Sequence, residues 1–135
     1  VAYVHLGMTQ LKQSNRNDGL ASLAKAAEVS GREVWTVARL GAGRAIAANR
    51  VEGAEAIGEV SKLSGTNFLS AFDMTLLYAA LGEKSTAFTW LEQAVEERAP
   101  RLIDLRYDPF FYRLHSELRF RDLLRQMNLP ELPVP

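Results

Sequence analysis

The sequence lacks cysteine altogether and holds only two histidines, His5 and His115. Without thiols there can be no disulfide framework, no thiolate metal site and no cysteine nucleophile. The two histidines are far apart in sequence and have no cluster of ligand-type residues beside them, whereas zinc takes several such ligands. We therefore expect no metal site and no cofactor. The absence of cysteine also fits a reducing compartment, and we expect a cytoplasmic protein.

An excess of charge of either sign is also missing, because sixteen basic residues balance sixteen acidic ones in the 135-residue chain. This balance argues against electrostatic binding of nucleic acid or anionic lipid by the surface as a whole. No apolar run approaches the roughly 18 residues of a membrane span, so no membrane partner is expected. Aromatic residues after position 100 are interleaved with arginines, a pattern found in nucleic-acid-binding proteins. Acidic residues in the same segment reduce its positive charge, so nucleic-acid binding is not expected.

Proline is missing from residues 1 to 99, a region that contains all eighteen alanines of the chain. Alanine is the best helix former, and apolar residues in this region recur at the spacings that mark one face of a helix. Capping and turn residues divide the region into six predicted helices, joined by turns short enough to give antiparallel pairs. The predicted breaks lie near residues 14–17, 30–31, 49–50, 64–67, 81–83 and 99–100.

The predicted helix pairs recur at a regular interval. Ala87 lies 33 residues after Ala54, which lies 35 residues after Gly19, so the mean period is 34 residues. A unit of two helices cannot bury its apolar face alone, and neighbouring units are therefore expected to stack. Small residues are predicted where paired helices approach closely, at Gly7, Ala42, Ala54 and Ala87.

This pattern resembles the tetratricopeptide repeat, which places Trp, Leu, Gly and Tyr in the first helix and Ala, Phe and Ala in the second. The first unit matches at Tyr3, Leu6, Gly7, Leu23 and Ala26, and the third at Tyr78, Ala87, Leu91, Ala94 and Pro100. The resemblance covers about residues 1–100. It implies an all-α fold, an α-solenoid of about three helix pairs at about 2–31, 33–64 and 69–99.

Residues 101–128 depart from the repeat and are predicted to form a helical cap over its end. The stretch 108–114 and the final helix around Phe120 also resemble the C-terminal ends of tetratricopeptide regions in bacterial signalling kinases and transcriptional regulators. Residues 129–135 hold three of the five prolines and are predicted to be an extended tail. The chain begins at Val1 and not at methionine, so we expect a fragment of a longer protein or a trimmed product. The resemblance implies that the longer protein is a bacterial regulatory or signalling protein.

The resemblance implies a non-enzymatic scaffold that binds a protein or peptide in the concave groove formed by the first helix of each pair. No nucleophile or phosphate-binding motif is found, and no catalytic residue is predicted. Lys12 and Arg39 would supply the charges of the groove, and Met8 and Phe72 its apolar anchors. The full set of candidate groove residues is Val4, Met8, Leu11, Lys12, Arg39, Gly43, Ile46, Phe72 and Leu76.

A second interpretation is left open by the apolar faces of the first helices. On this interpretation the segment is mainly structural, and it dimerises or caps a larger protein without a separate ligand. A homodimer would then be the partner. The oligomeric state in solution distinguishes this dimerising unit from a peptide-binding module.

Overall fold

The computed structural model describes residues 2–47, 50–64 and 70–129, which fold into seven α-helices and two 3₁₀ helices without a β-strand. The α-helices are α1 (Ala2–Lys12), α2 (Arg16–Val29), α3 (Val34–Ile46), α4 (Arg50–Ser64), α5 (Ala71–Leu81), α6 (Lys84–Glu96) and α7 (Leu118–Gln126). The 3₁₀ helices are η1 (Pro100–Asp104) and η2 (Pro109–Leu114). The all-α prediction is confirmed for these residues.

The ends of α5 show how local sequence sets the helix boundaries. The Ser70 hydroxyl accepts a hydrogen bond from the backbone N–H of Asp73 at 3.3 Å, which satisfies one of the unpaired donors of the first turn. Gly82 ends the helix at φ 81°, a left-handed conformation that favours glycine. The predicted breaks at Asn49 and within 65–67, and the tail beyond Leu129, lie outside the described residues.

Consecutive helices pack in pairs, α1 with α2, α3 with α4, and α5 with α6. Glycines permit close approach within two of these pairs. A Cβ atom added to Gly7 would lie 2.9 Å from the Gly19 carbonyl oxygen, and one added to Gly53 would lie 2.7 Å from the Ala45 Cβ. Ala54, predicted at such a contact, is exposed instead. The second pair therefore meets through the neighbouring residue of α4, one position from the expected register.

Helix α5 occupies the centre of the molecule, since it contacts α3, α4, α6 and η2. Nearly all of its residues are buried, including the polar Asp73 and Thr75. A helix with neighbours on all sides is apolar all round and has no pronounced hydrophobic face. The composition of α5, Ala-Phe-Asp-Met-Thr-Leu-Leu-Tyr-Ala-Ala-Leu, follows from this position.

The C-terminal segment, comprising η1, η2 and α7, folds back against the earlier helices. Its apolar residues Leu105, Phe111, Leu114 and Phe120 are completely buried, so they belong to the main core. Helix α7 is held to α6 by an ion pair between Arg119 Nη2 and Glu92 Oε1 at 2.6 Å. Within the described ranges, no helix has both the length and the apolar character needed to cross a membrane.

Candidate functional site

A cleft opens between α1, the first turns of α3 and the C-terminal segment; we call it the α1 cleft. Its volume of about 430 Å³ lies within the roughly 300–1,000 Å³ typical of ligand pockets. A shallower hollow of about 210 Å³ continues it along α1. The cleft is lined by Val4, His5, Met8, Trp35, Arg39, Arg101, Tyr107 and Asp108, and the hollow by His5, Met8, Thr9, Lys12, Tyr107 and Tyr112.

Helical periodicity explains why residues of α1 and α3 meet in this cleft. Val4 and Met8 are four residues apart, as are Trp35 and Arg39, so each pair lies on one face of its helix. The Arg39 guanidinium contacts the Met8 sulfur, with Nη1 at 3.5 Å from the sulfur atom. The C-terminal segment closes the opposite side, where Tyr107 is 68% exposed and available to a ligand.

Arg39 and Asp108 form a buried ion pair at the floor of the cleft. Arg39 Nη1 lies 2.8 Å from Asp108 Oδ2, and the two residues are only 6% and 4% exposed. Asp108 also begins η2, since its Oδ1 accepts a hydrogen bond from the Phe110 N–H at 3.1 Å. Arg39 was expected to offer a free charge to a partner. In the structure Asp108 neutralises the charge of Arg39, and the ion pair connects η2 to α3.

Two other cations lie on aromatic rings, Arg101 in the cleft and Lys12 in its extension. The Arg101 guanidinium lies 4.5 Å from the centre of the Trp35 ring, and the Trp35 indole N–H donates to Glu33 Oε2 at 2.6 Å. Lys12 Nζ lies 5.8 Å from the centre of the Tyr112 ring. Cations over aromatic faces are attracted by the ring quadrupole. The cleft and its extension therefore have apolar and aromatic side chains between two cations, Arg101 and Lys12.

Two titratable groups with a shifted pKa, the buried Asp73 and the half-buried His115, lie outside the cleft lining. Burial raises the pKa of Asp73 above its usual value, an effect that the Ser70 hydrogen bond and the charges of Arg101 and Arg39 only partly oppose. Burial lowers the pKa of His115, whose Nε2 lies 3.2 Å from the Leu105 carbonyl oxygen. Neither residue is positioned beside a nucleophile or a second base at the cleft surface.

Of the residues predicted to line the groove, Val4, Met8 and Arg39 meet in the α1 cleft, and Lys12 lines its extension. Leu11 and Gly43 do not line it. A Cβ atom added to Gly43 would lie 2.7 Å from Leu23 Cδ1 and 3.3 Å from Leu11 Cδ1, so this pair packs between the helices. Ile46 is half-buried against the core.

The third helix pair presents no open groove at its predicted anchor. Phe72 is only 3% exposed and Leu76 is fully buried. The Phe72 ring lies 5.4 Å from the ring of Phe111, so η2 occupies the space that a partner was expected to fill. The prediction of an accessible surface at Phe72 and Leu76 was wrong, because the repeat pattern does not reveal where the segment after Pro100 folds.

Five cleft residues were not predicted as groove residues: His5, Trp35, Arg101, Tyr107 and Asp108. Arg101, Tyr107 and Asp108 lie outside the predicted repeats, in the predicted cap. Trp35 is the second residue of α3, one turn before the predicted Arg39, and a large aromatic residue near a helix start is a signal that could have been used. His5 follows directly after the predicted Val4.

Comparison with known proteins yields no match for this chain, whether against family models, curated proteins or solved structures. In the part of the chain that the structure describes, no three His, Asp or Glu side chains are grouped as a metal ion would require. The site is thus characterised by its own geometry, an aromatic and apolar cleft that contains the cation Arg101 and continues into an extension that contains the cation Lys12.

Proposed function

We propose that this chain is a non-enzymatic interaction module of the tetratricopeptide type, which binds a peptide segment of a partner protein in the α1 cleft. The observation that carries the proposal is the cleft itself. Apolar and aromatic side chains such as Met8, Trp35 and Tyr107 line it, and aromatic residues and arginine dominate the binding energy of protein interfaces.

The packing of the helices supports the solenoid part of the proposal. Neighbouring pairs contact each other through α2 and α3 and through α4 and α5, as stacked units would. The 34-residue sequence period has the same length as one pair of helices with its turns. On this basis the three pairs are repeats of one unit, and the C-terminal segment is the cap of the stack.

Substitution of an exposed wall residue tests the function without disturbing the core. Peptides selected from a random display library on the purified chain should bind with a measurable Kd by isothermal titration calorimetry. We expect Tyr107→Ala to weaken their binding about tenfold, the effect of removing one aromatic anchor. Leu118→Ala is the matched control, because Leu118 is 74% exposed on α7 and away from the cleft. Failure to select any peptide, or equal effects of the two substitutions, would refute the proposal.

A dimerising function is the second candidate, and the outer face of α1 favours it. Tyr3 and Leu6 lie three residues apart on that face and are 43% and 48% exposed. Side chains at this spacing form a continuous patch that a second copy could cover. Light scattering at high protein concentration decides this point, since a monomer at all concentrations excludes self-association.

A further inference from the structure

We propose that the α1 cleft selects an acidic peptide segment, in which an apolar side chain lies between two carboxylates. This inference rests on the proposed function, because it names the chemistry of the peptide that the cleft receives. The charges and the aromatic rings that line the cleft favour this partner.

Positive charge exceeds negative charge along the cleft and its extension. Their lining holds Arg39, Arg101 and Lys12 against a single carboxylate, Asp108. Arg39 and Asp108 neutralise each other in the buried ion pair at 2.8 Å. Neither Arg101 nor Lys12 forms an ion pair with any described residue. A carboxylate that enters the cleft would therefore meet these two cations without displacing a partner from either of them.

Two nearby acidic residues do not cancel this excess. Asp73 interacts with Arg101 but is 6% exposed and does not line the cleft, and burial raises its pKa, which disfavours its charged form. Glu33 is engaged with the indole N–H of Trp35 at 2.6 Å and is likewise not part of the lining. The residues that line the cleft and its extension therefore carry more positive than negative charge.

The aromatic rings hold the two cations in place before a ligand arrives. Arg101 lies over Trp35 at 4.5 Å, and Lys12 lies over Tyr112 at 5.8 Å. A guanidinium packed against a ring can still donate from its edge to a carboxylate in a bidentate arrangement. Because the rings restrict these long side chains, less conformational entropy is lost when a ligand binds.

The length of α1 along the cleft and its extension sets the spacing that the peptide needs. Arg101 lines the cleft with Trp35, and Lys12 lines the extension. The part of α1 from Val4 to Lys12 rises about 12 Å, at roughly 1.5 Å per residue. An extended peptide covers that length in about four residues. We therefore expect two acidic residues about four positions apart, with an apolar side chain between them against Met8 and Tyr107.

The experiment uses a fluorescein-labelled peptide of about nine residues, with one leucine between two glutamates four positions apart. Its C-terminus is amidated, so the side chains supply the only carboxylates in the peptide itself. The dye is attached through a neutral linker, and unlabelled peptide is used as a competitor to exclude binding of the dye. Fluorescence anisotropy measures its affinity for the intact chain, alongside a peptide with glutamine at both acidic positions. We expect the acidic peptide to bind at least tenfold more tightly, and the difference to shrink as salt is raised.

Charge-removing substitutions assign the effect to the cleft. We expect Arg101→Gln and Lys12→Gln each to weaken binding of the acidic peptide about three- to tenfold, and to leave the glutamine peptide unaffected. Arg121→Gln and Lys25→Gln are the matched controls, since both residues are exposed on other faces. Lys12 is exposed, with its Nζ 5.8 Å from the centre of the Tyr112 ring, so this variant stays informative should Arg101→Gln disturb the fold.

The outcomes separate this inference from the proposed function. Equal binding of the two peptides, or equal effects of cleft and control substitutions, overturns the acidic specificity. Library peptides that are neutral or basic and depend on Tyr107 would also overturn it, while leaving the interaction module in place. Absence of any peptide that depends on Tyr107 overturns both.

Discussion

The ion pair between Arg39 and Asp108 joins helix α3 to the C-terminal segment. Its two members come from α3 and from the start of η2, and both are almost fully buried. A buried charge without its partner is far less stable than the pair, because the desolvation cost is no longer offset. We infer that this contact maintains the floor of the α1 cleft and the position of the C-terminal segment.

Substitution of Arg39 should therefore strongly destabilise the folded protein. We expect Arg39→Met to lower the free energy of unfolding by about 3–5 kcal/mol, measured by urea denaturation, because Asp108 is left buried and charged. The double variant Arg39→Met with Asp108→Asn should lose less unfolding free energy than the two single variants lose in sum. Strict additivity of the two substitutions would show that the pair does not interact.

His115 is a residue whose titration should make the stability of the protein depend on pH. Burial lowers its pKa in the folded state, so the unfolded chain binds its proton more readily. Its contribution to stability is complete above the ordinary value of 6.5 and is lost as the pH falls through the folded-state pKa. We expect His115→Gln to flatten the fall in unfolding free energy as the pH is lowered below 6.5. His5→Gln, at an exposed position, is the control, and an equal flattening there would contradict this explanation.

Helix α3 packs on α4 through a glycine that has no room for a side chain. A Cβ atom on Gly41 would overlap the Cβ of Ala56, while one on Gly58 of α4 would meet nothing within 4 Å. We expect Gly41→Ala to destabilise the protein by about 1–3 kcal/mol through overpacking.

The same change at Gly58 supplies the control for this prediction. Gly58→Ala should stabilise the chain by up to about 1 kcal/mol, because alanine restricts the unfolded chain and favours the helix. Thermal unfolding of both variants measures the contrast. A neutral effect of Gly41→Ala would mean that α3 and α4 lie further apart than in the structure.

Much of the helical content could be predicted from the sequence, because its signals are local. Ser70 with Asp73 indicated the start of α5, and the alanine-rich, proline-free region indicated helices. The packing register of the second helix pair was harder to predict from the sequence. Gly53, Ala54 and Ala56 are all small, so their spacing alone does not decide which of them faces α3. That choice depends on how α3, α4 and α5 pack together.

The candidate site was harder to predict, since it joins segments far apart in the chain. Val4, Met8 and Lys12 were identified from helical spacing within α1, a local property. The opposite wall, with Arg101 and Tyr107, depends on where the C-terminal segment folds after Pro100. The same fold buries Phe72 beneath Phe111 and moves the open surface toward the first pair. No local pattern contains this information.

The molecule as a whole offers a built-in comparison, because it has two tryptophans and only one lines the cleft. Trp35 lines the cleft beneath Arg101, whereas Trp90 lies on α6 and is not part of the lining. Both can be labelled with fluorotryptophan and observed as separate ¹⁹F resonances. Binding in the cleft should therefore be visible at one position and absent at the other.

Titration of the labelled chain with a peptide that it binds tests the central claim most directly. We predict that the Trp35 resonance shifts progressively to saturation with the same Kd as in calorimetry, while the Trp90 resonance stays in place. A shift at Trp90 alone, or saturation without any change at Trp35, would show that the partner binds elsewhere and that the α1 cleft is not the working surface of this protein.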